Sequence, residues 1–414
     1  APTPTPDADD PIQKPSRSTW AVPSRAGPGH GSKAFVDPQN DVTAADIALA
    51  AREGYDSIEL VKRYTTLGMG TDQGRLGNVN GMGVLAEALG VDIASIGTTT
   101  FRPVYTPVPF GAIAGRNVGR LADPVRKTAI HGWHEEAGAE FEDVGQWKRP
   151  RHYPRQGEGM QEAVNRECLA VRNGVAIFDA STLGKIDVRG PDAARFLNRV
   201  YTNTWTRLGI GRCRYGAMLR EDGMLMDDGV TTRLGDDHFL MNTTTGGAAL
   251  VMGWLERWLQ TEWPDLKVYL TSVTDHWSVI AVVGPNSRRV VGEVCDGIDF
   301  SRDAFPFMSC REGAVSGIPV RVFRISFSGD LSFEMNVSAN HGRAVWEAVM
   351  AAGEKYDITP YGTEVMRVLR TEKGYIIDGQ DTDGSRTPAD MGMDWIVSTR
   401  KDFLGRRSLS RLDT

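Results

Sequence analysis

The 414 residues leave room for roughly two to four domains, each able to close its own apolar core. Apolar residues make up 41% and charged residues 24%, and the most apolar stretch, Trp277–Val283, is far too short to span a bilayer. Lys+Arg 47 against Asp+Glu 53 leave a net charge of −6, with no basic run interleaved with aromatics, so neither a membrane nor nucleic acid is an expected partner.

Residues 1–32 open Ala-Pro-Thr-Pro-Thr-Pro, show almost no apolar periodicity and read as an extended linker or surface arm. They lack the pattern of a secretory signal, and the missing initial Met suggests a piece of something longer. From Val42 the pattern turns helical: Thr43 can cap a helix over Ala44–Glu53, and Ser57–Thr65 places Ile58, Val61 and Tyr64 on one face. The run Leu67–Gly74 breaks regular structure before another helix near Asn80–Leu89, and a Thr- and Pro-rich stretch to Phe110 reads as extended. Residues 33–115 therefore read as a small α-helical module and 116–154 as a connector.

From Arg155 the texture becomes α+β, with short alternating strands between amphipathic helices. Tyr215–Arg220, the turn Glu221–Gly223, Met224–Arg233 and His238–Asn242 predict a meander of three antiparallel strands. Helices are expected at Pro191–Val200, Gly246–Gln260, Asn286–Val294, His341–Ala352 and Pro360–Glu372, whereas Asp402–Leu412 is polar and offers no closing element. The four cysteines, Cys168, Cys213, Cys295 and Cys310, have no C-x-x-C spacing and fit reduced thiols in a cytoplasm.

Several polar features carry both a chemical and a plain reading. Gly68-x-Gly70-x-x-x-Gly74 is not a dinucleotide fingerprint, because no buried strand precedes it and the spacing is one residue too long. A flexible turn is favoured, with an anion or flavin-phosphate contact as the alternative, charge coming from Lys62, Arg63 and Arg75. His131, His134 and Glu135 could ligate a metal on a helix, but no third ligand is evident; packing with Trp133 and Trp147 is favoured and no metal is expected.

Asp227–Asp228 lies within the apolar run Met224–Val230, where charge is costly to bury. Side chains alternate across a strand, so only one of the two can enter a given pocket; pattern alone favours a turn-associated pair. Glu334, between Phe333 and Met335, needs donors. Arg324 or Arg370 could supply them as an ion pair, or a ligand could present adjacent N–H groups.

In order along the chain, Arg166-Glu167-Cys168, Phe178-Asp179-Ala180-Ser181, Arg189-Gly190-Pro191, Tyr215, Met226-Asp227-Asp228, Val283-Gly284-Pro285, Ser328-Gly329-Asp330, Phe333-Glu334, Arg370-Thr371-Glu372, Gly379-Gln380-Asp381 and Trp395 resemble the folate-binding domain of the aminomethyltransferase family. The best known member of that family is the T-protein of the glycine cleavage system. Lys33–Thr43, Val61–Gly74 and Phe141–Pro150 resemble the corresponding parts of the α subunit of heterotetrameric sarcosine oxidases, whose helical module precedes the folate domain. The T-protein has no counterpart of residues 33–125.

The resemblance implies an aminomethyltransferase-like domain of antiparallel sheets and helices over 155–414, without the family's NAD-binding domain and small C-terminal barrel, as in a fragment, a processed chain or a split gene. It puts the catalytic aspartate on Asp228 and the pterin-gripping glutamate on Glu334, with Tyr215, Phe327, Trp395 and Glu372 completing the folate site. Phe327 replaces a tyrosine, Met366 replaces a folate-contacting arginine, and Asp179-Ala180-Ser181-Thr182 lacks the T-protein's histidine. The last two changes argue against a T-protein handling a lipoyl arm.

The implied activity is capture of the one-carbon unit of oxidised sarcosine on tetrahydrofolate to give 5,10-methylenetetrahydrofolate. Oxidation would occur at a flavin, FMN or FAD, in a partner subunit of a cytoplasmic heterotetramer, and Gly68, Gly70, Thr71 and Arg63 would face that flavin or its subunit. The alternatives are a stand-alone tetrahydrofolate-dependent aminomethyltransferase or N-methyl amine demethylase component, and a scaffold that has lost its ligand.

Overall fold

The computed structural model describes residues 18–21, 33–102, 108–116 and 124–412. Most of the arm expected over 1–32 thus lies outside the described residues, as does part of the stretch before Phe110. Two compact units divide the chain, Ala1–Ala122 and Asp123–Thr414. No helix among the described residues is long and apolar enough to cross a membrane.

The first unit opens with a two-stranded sheet, β1 (Phe35–Asp37) and β2 (Val42–Thr43), that runs into α1 (Ala44–Arg52). Thr43 caps that helix reciprocally: its hydroxyl accepts from the Asp46 N–H at 3.3 Å while the Asp46 carboxylate accepts from the Thr43 N–H at 2.8 Å. Helices α2 (Ile58–Thr65) and α3 (Asn78–Leu89) bury Ile58, Val61 and Leu85 against Ile47 and Ala50 of α1. Tyr64, expected on the buried face, is exposed and packs beside Tyr55 with ring centroids 4.7 Å apart. A 3-10 turn, Ile93–Ile96, and the short α4 (Phe110–Ala114) occupy parts of the stretch expected to be extended.

The second unit starts earlier than the sequence pattern suggests. The segment expected as a connector carries α5 (His131–Glu136) and a hairpin of β3 (Glu140–Val144) and β4 (Trp147–His152). This hairpin is tied into the unit by Arg367, which donates to Glu142 at 2.8 Å. His134 accounts for the histidine motif. Its ring bonds Asp179 at 3.1 Å and Tyr153 at 2.9 Å, and it meets the edge of Trp346, so it is a satisfied core histidine.

The remaining elements in chain order are α6 (Met160–Asn173), β5 (Ala176–Asp179), β6 (Gly184–Arg189), α7 (Ala193–Val200), β7 (Cys213–Leu219), β8 (Leu225–Gly235), β9 (His238–Thr243), α8 (Ala248–Thr261) and β10 (Tyr269–Ser272). They continue with β11 (Trp277–Val283), α9 (Ser287–Val294), β12 (Cys295–Asp296), β13 (Ser309–Val315), β14 (Ile318–Arg324), β15 (Ser332–Ser338), α10 (Gly342–Gly353), β16 (Thr359–Pro360), α11 (Thr363–Thr371) and α12 (Arg406–Leu412). The polar tail expected without an element therefore closes in a helix.

Two sheets organise these elements, a five-stranded one ordered β10-β6-β9-β8-β7 and a seven-stranded one ordered β12-β13-β14-β15-β11-β5-β16. All pairings are antiparallel except β16 with β5. One face of the five-stranded sheet buries Ile186, Val188, Met218, Phe239 and Met241 under α7 and α8. One face of the seven-stranded sheet buries Ile280, Val282, Val322, Met335 and Val337 under α9 and α10. The two remaining faces meet each other in part, stitched at one edge by the bridge Arg212↔Ser309 and by the Cys310 N–H donating to the Gly211 carbonyl at 2.8 Å. This seam is where the polar residues of interest collect.

Candidate functional site

Register determines what faces the seam. In the five-stranded sheet Tyr215 lies opposite Val230, Ala217 opposite Asp228, and Lys185 opposite Asn242. Because side chains alternate, Tyr215, Asp228, Val230, Asn242 and Lys185 share the face away from α7 and α8. In the seven-stranded sheet Glu334 lies opposite Phe323 on one side and Ala281 on the other, so it faces away from the α9–α10 core.

One apolar cluster joins the two faces: Cys213, Leu240 and Val230 from the first sheet pack with Cys310, Phe323 and Ile325 from the second. Phe323 is Glu334's cross-strand neighbour, and Val230 stands two residues from Asp228 on the same face. The seam thus draws polar residues from both sheets: the hydrogen-bonded Tyr215 and Asp228 from one and Glu334 from the other. Cys168, Cys213, Cys295 and Cys310 are all free thiols.

Asp227 and Asp228 point to opposite faces, as alternation requires, but neither belongs to a turn. Asp227 is buried and clamps the loop after β9: it accepts the Thr244 N–H at 3.1 Å, the Thr244 hydroxyl at 2.9 Å and the Asp228 N–H at 2.7 Å. Burial nevertheless pushes its carboxyl up to about 7. Asp228 accepts a 2.6 Å hydrogen bond from the Tyr215 hydroxyl at Oδ2. Burial raises its carboxyl to about 6, with the nearby Asp378 adding to the rise and the Tyr215 bond working against it. Gly229, next in the strand, has no room for a Cβ, which would meet the Asn242 carbonyl; that close approach brings β8 and β9 together beside Asp228.

Glu334 is only 9% exposed, and among the described residues its carboxylate accepts no hydrogen bond. Burial pushes its carboxyl up to about 7, and Lys185 opposes the rise from a distance. Neither arginine expected as its partner reaches it. Arg324 donates to the Phe305 carbonyl at 2.6 Å, and Arg370 donates to the Tyr375 carbonyl at 2.9 Å and pairs with Asp381. Asn242 and Asn336, on the same two faces, also leave side-chain carbonyl oxygens buried without a donor. The seam therefore carries an excess of acceptors, the arrangement that a ligand rich in N–H groups would complete.

Lys185 escapes sequence reasoning, because a lysine in an alternating strand reads as solvent-facing. It is instead fully buried, donating to the carbonyls of Ser181 at 2.9 Å and Leu183 at 2.6 Å, and burial lowers its amine to about 8. Asp378, close enough to affect both Asp228 and Tyr215, also went unread, although the motif beginning at Gly379 adjoins it.

Trp395 is 72% exposed and stacks on Tyr215 with centroids 6.2 Å apart. That spacing leaves no slot for a third ring between them, since two stacked layers need about 7 Å, so the pair forms a single platform beside Asp228. Phe327 is exposed and stacks on Tyr375 at 6.3 Å. Glu372 does not hang free: Arg172 donates to it at 2.5 Å while also pairing with Asp330. Met366 packs in the apolar layer under α6 and α11.

In the first unit the Gly68–Gly74 loop is satisfied from within. The Gly68 N–H donates to Asp37 at 2.8 Å, the Asp72 N–H to Gln39 at 3.3 Å and the Gly74 N–H to Asp72 at 3.1 Å. A Cβ on Gly70 would collide with Gln39, whose side chain Thr71 meets at 3.4 Å, and Arg63 pairs with Glu59 at 3.2 Å.

Comparison with known proteins gives two family matches, to the GCVT N-terminal domain over residues 130–401 and to the sarcosine oxidase A3 domain over residues 31–116. The chain is 57% identical to sarcosine oxidase subunit alpha of Corynebacterium sp. (strain U-96) over 96% of its own length and 42% of that protein's. It is 47% identical to sarcosine oxidase subunit alpha of Rhizobium meliloti (strain 1021), over 98% of its own length and 41% of the other's. The chain thus spans less than half the length of these relatives. In fold it is similar to the glycine cleavage system aminomethyltransferase T from Bartonella henselae, at a TM-score of 0.61 and 24% identity, over 69% of this chain and 74% of that one.

Proposed function

We propose, from the premise that the chain belongs to the family described by the GCVT N-terminal domain, that its second unit holds tetrahydrofolate at the seam between the two sheets and lets it capture a one-carbon unit. Glu334 carries this reading. A buried carboxylate with no donor of its own is costly, and the pyrimidine edge of tetrahydrofolate offers the missing complement, a ring N–H beside an exocyclic amino group. The donor-free carbonyls of Asn242 and Asn336 fit the same kind of ligand.

Asp228 is the residue proposed to act on the reacting end. When bound, tetrahydrofolate supplies the amine nitrogens that take up the carbon, and 5,10-methylenetetrahydrofolate is the product on this reading. Asp228, ionised above about pH 6 and steadied by the Tyr215 hydroxyl, orients the amine and offsets the positive charge that develops there. The Tyr215–Trp395 platform gives the flat ligand a surface to lie against.

The relatives' names support placing this unit in a sarcosine-oxidising complex. On our reading a flavin in a partner subunit generates the electrophilic carbon and the first unit serves as a docking platform. NAD would belong to a region that this chain does not span. Holding the folate amine close to where the electrophile is released would favour capture over loss to water, because the two would meet at high effective concentration.

Titrating the full chain with tetrahydrofolate tests the reading. Glu334→Gln is expected to weaken binding at least tenfold, whereas Asp228→Ala should retain most of the affinity and lose capture. Unchanged affinity in Glu334→Gln overturns the assignment. Turnover by the purified chain with an amine donor and no flavin subunit would instead favour a stand-alone aminomethyltransferase.

A further inference from the structure

The seven-stranded sheet carries a second polar feature on the face away from Glu334. Arg324 follows Phe323 in β14, so its side chain leaves the sheet on the opposite side. There Arg324, Arg288 from the start of α9, and Arg302 from the loop after β12 line one open cleft of about 510 Å³ together with Ser326, Phe307 and Tyr375.

Among the described residues no carboxylate neutralises these three guanidinium groups. Arg288 donates to the Phe300 carbonyl, Arg324 donates to the Phe305 carbonyl at 2.6 Å, and Arg302 makes no ion pair. The one acid in the lining, Asp330, is already held by Arg172. Two further polar atoms, Arg324 Nε and Ser326 Oγ, are buried without any partner. Burial and the neighbouring Arg302 push the Arg288 guanidinium below its ordinary range, and burial followed by Arg288 and Arg302 does the same to Arg324. Like charges gathered at one cleft, with hydrogen-bonding capacity unused, are a cost that an anion would remove.

We propose that this cleft binds an oxyanion of the carboxylate or phosphate class, gripped by Arg288, Arg302 and Arg324 and flanked by the rings of Phe307 and Tyr375. Guanidinium forks match the planar spacing of oxyanion oxygens, so two or three of them around one ligand give bidentate contacts that lysines could not. Arg288 also lies over the Phe333 ring at 5.4 Å, which holds its head group near the cleft instead of free in solvent. Arg324 and Phe333 stand on the sheet face opposite Glu334, so the cleft is distinct from that carboxylate, while Tyr375 in its lining stacks on Phe327 of the implied folate site.

Calorimetric titration of the full chain with inorganic phosphate and, separately, with succinate, at constant ionic strength set by chloride, tests it. Saturable one-site binding of either anion is expected, and which of the two binds identifies the class. Arg302→Ala removes an exposed side chain that makes no internal bond, so it should fold normally and weaken binding at least tenfold. Arg324→Gln should do the same, while Arg207→Ala, an exposed arginine outside the cleft, should leave affinity unchanged. The absence of saturable binding by both anions, or equal affinity in Arg302→Ala and the unaltered chain, overturns the proposal.

Discussion

The Tyr215 hydroxyl donates a 2.6 Å hydrogen bond to Asp228 Oδ2 from the neighbouring strand, and that bond opposes the burial that raises the Asp228 carboxyl to about 6. Tyr215→Phe removes a donor to the ionised form. The Asp228 carboxyl should then rise further, by about one pH unit, so that less of it is ionised at neutral pH. Carboxylate titration followed by carbon NMR checks this, and the acid limb of any folate-dependent activity should move upward with it. An unmoved titration would mean that the phenol does not influence Asp228.

Glu334 predicts a pH-dependent trade of stability against binding. Its folded carboxyl titrates at about 7 against about 4.3 in an unfolded chain, so its contribution to stability is fully present below pH 4 and is lost as pH rises through 7. Glu334→Gln cannot ionise. It should therefore stabilise the ligand-free protein at pH 8 by on the order of 2 kcal/mol, less whatever Lys185 loses, and change it little at pH 4. Urea unfolding at the two pH values measures the difference, and equal stability at both would sink the unpaired buried charge.

Gly247 permits a clean test of the Asp227 clamp. Its backbone, at φ −81° and ψ −14°, suits any residue, but a Cβ would overlap the Asp227 carboxylate and lie 2.6 Å from the Thr244 hydroxyl oxygen. Gly247→Ala should cost about 1–3 kcal/mol by overpacking. Gly253→Ala, inside the helix α8 that Gly247 precedes and with open space around its Cβ, should stabilise by about 0.5–1 kcal/mol. Paired thermal melts decide, and similar shifts in both variants would show that the clamp tolerates displacement.

Asp179, at the end of β5, should dominate the acid limb of stability around that strand and α5. Burial alone would raise its carboxyl, but the His134 ring and hydrogen bonds from Ser181 and Thr128 bring it down to about 2. With an unfolded value near about 3.9, its contribution is present above that pH and is lost as pH falls through 2. Asp179→Asn should therefore cost about 2–4 kcal/mol at pH 7 and flatten the acid unfolding curve between about pH 4 and 2. A variant that keeps the original acid limb would assign that limb to other carboxylates.

Local periodicity carried much of the architecture. The three-strand meander, the five helices expected after Arg155, and the Thr43 cap all follow from apolar spacing and turn residues that act over a few neighbours. Alternation also placed Asp227 and Asp228 on opposite faces before any tertiary contact was known. Pattern alone favours a turn-associated pair; in the structure Asp227 does clamp the loop after β9, while Asp228 stands on the seam face beside Tyr215.

What the sequence determined by itself was therefore the set of elements and the order of the polar residues upon them, since both depend on forces between residues close in the chain. Only the tertiary structure decided which polar groups find partners: Arg172 takes Glu372, Arg370 takes Asp381, Lys185 is buried among carbonyls, and Glu334 is left without a donor. Such outcomes are set by strand register and by the meeting of two sheet faces built from residues far apart in sequence. A spacing pattern along one segment contains no term for that distance.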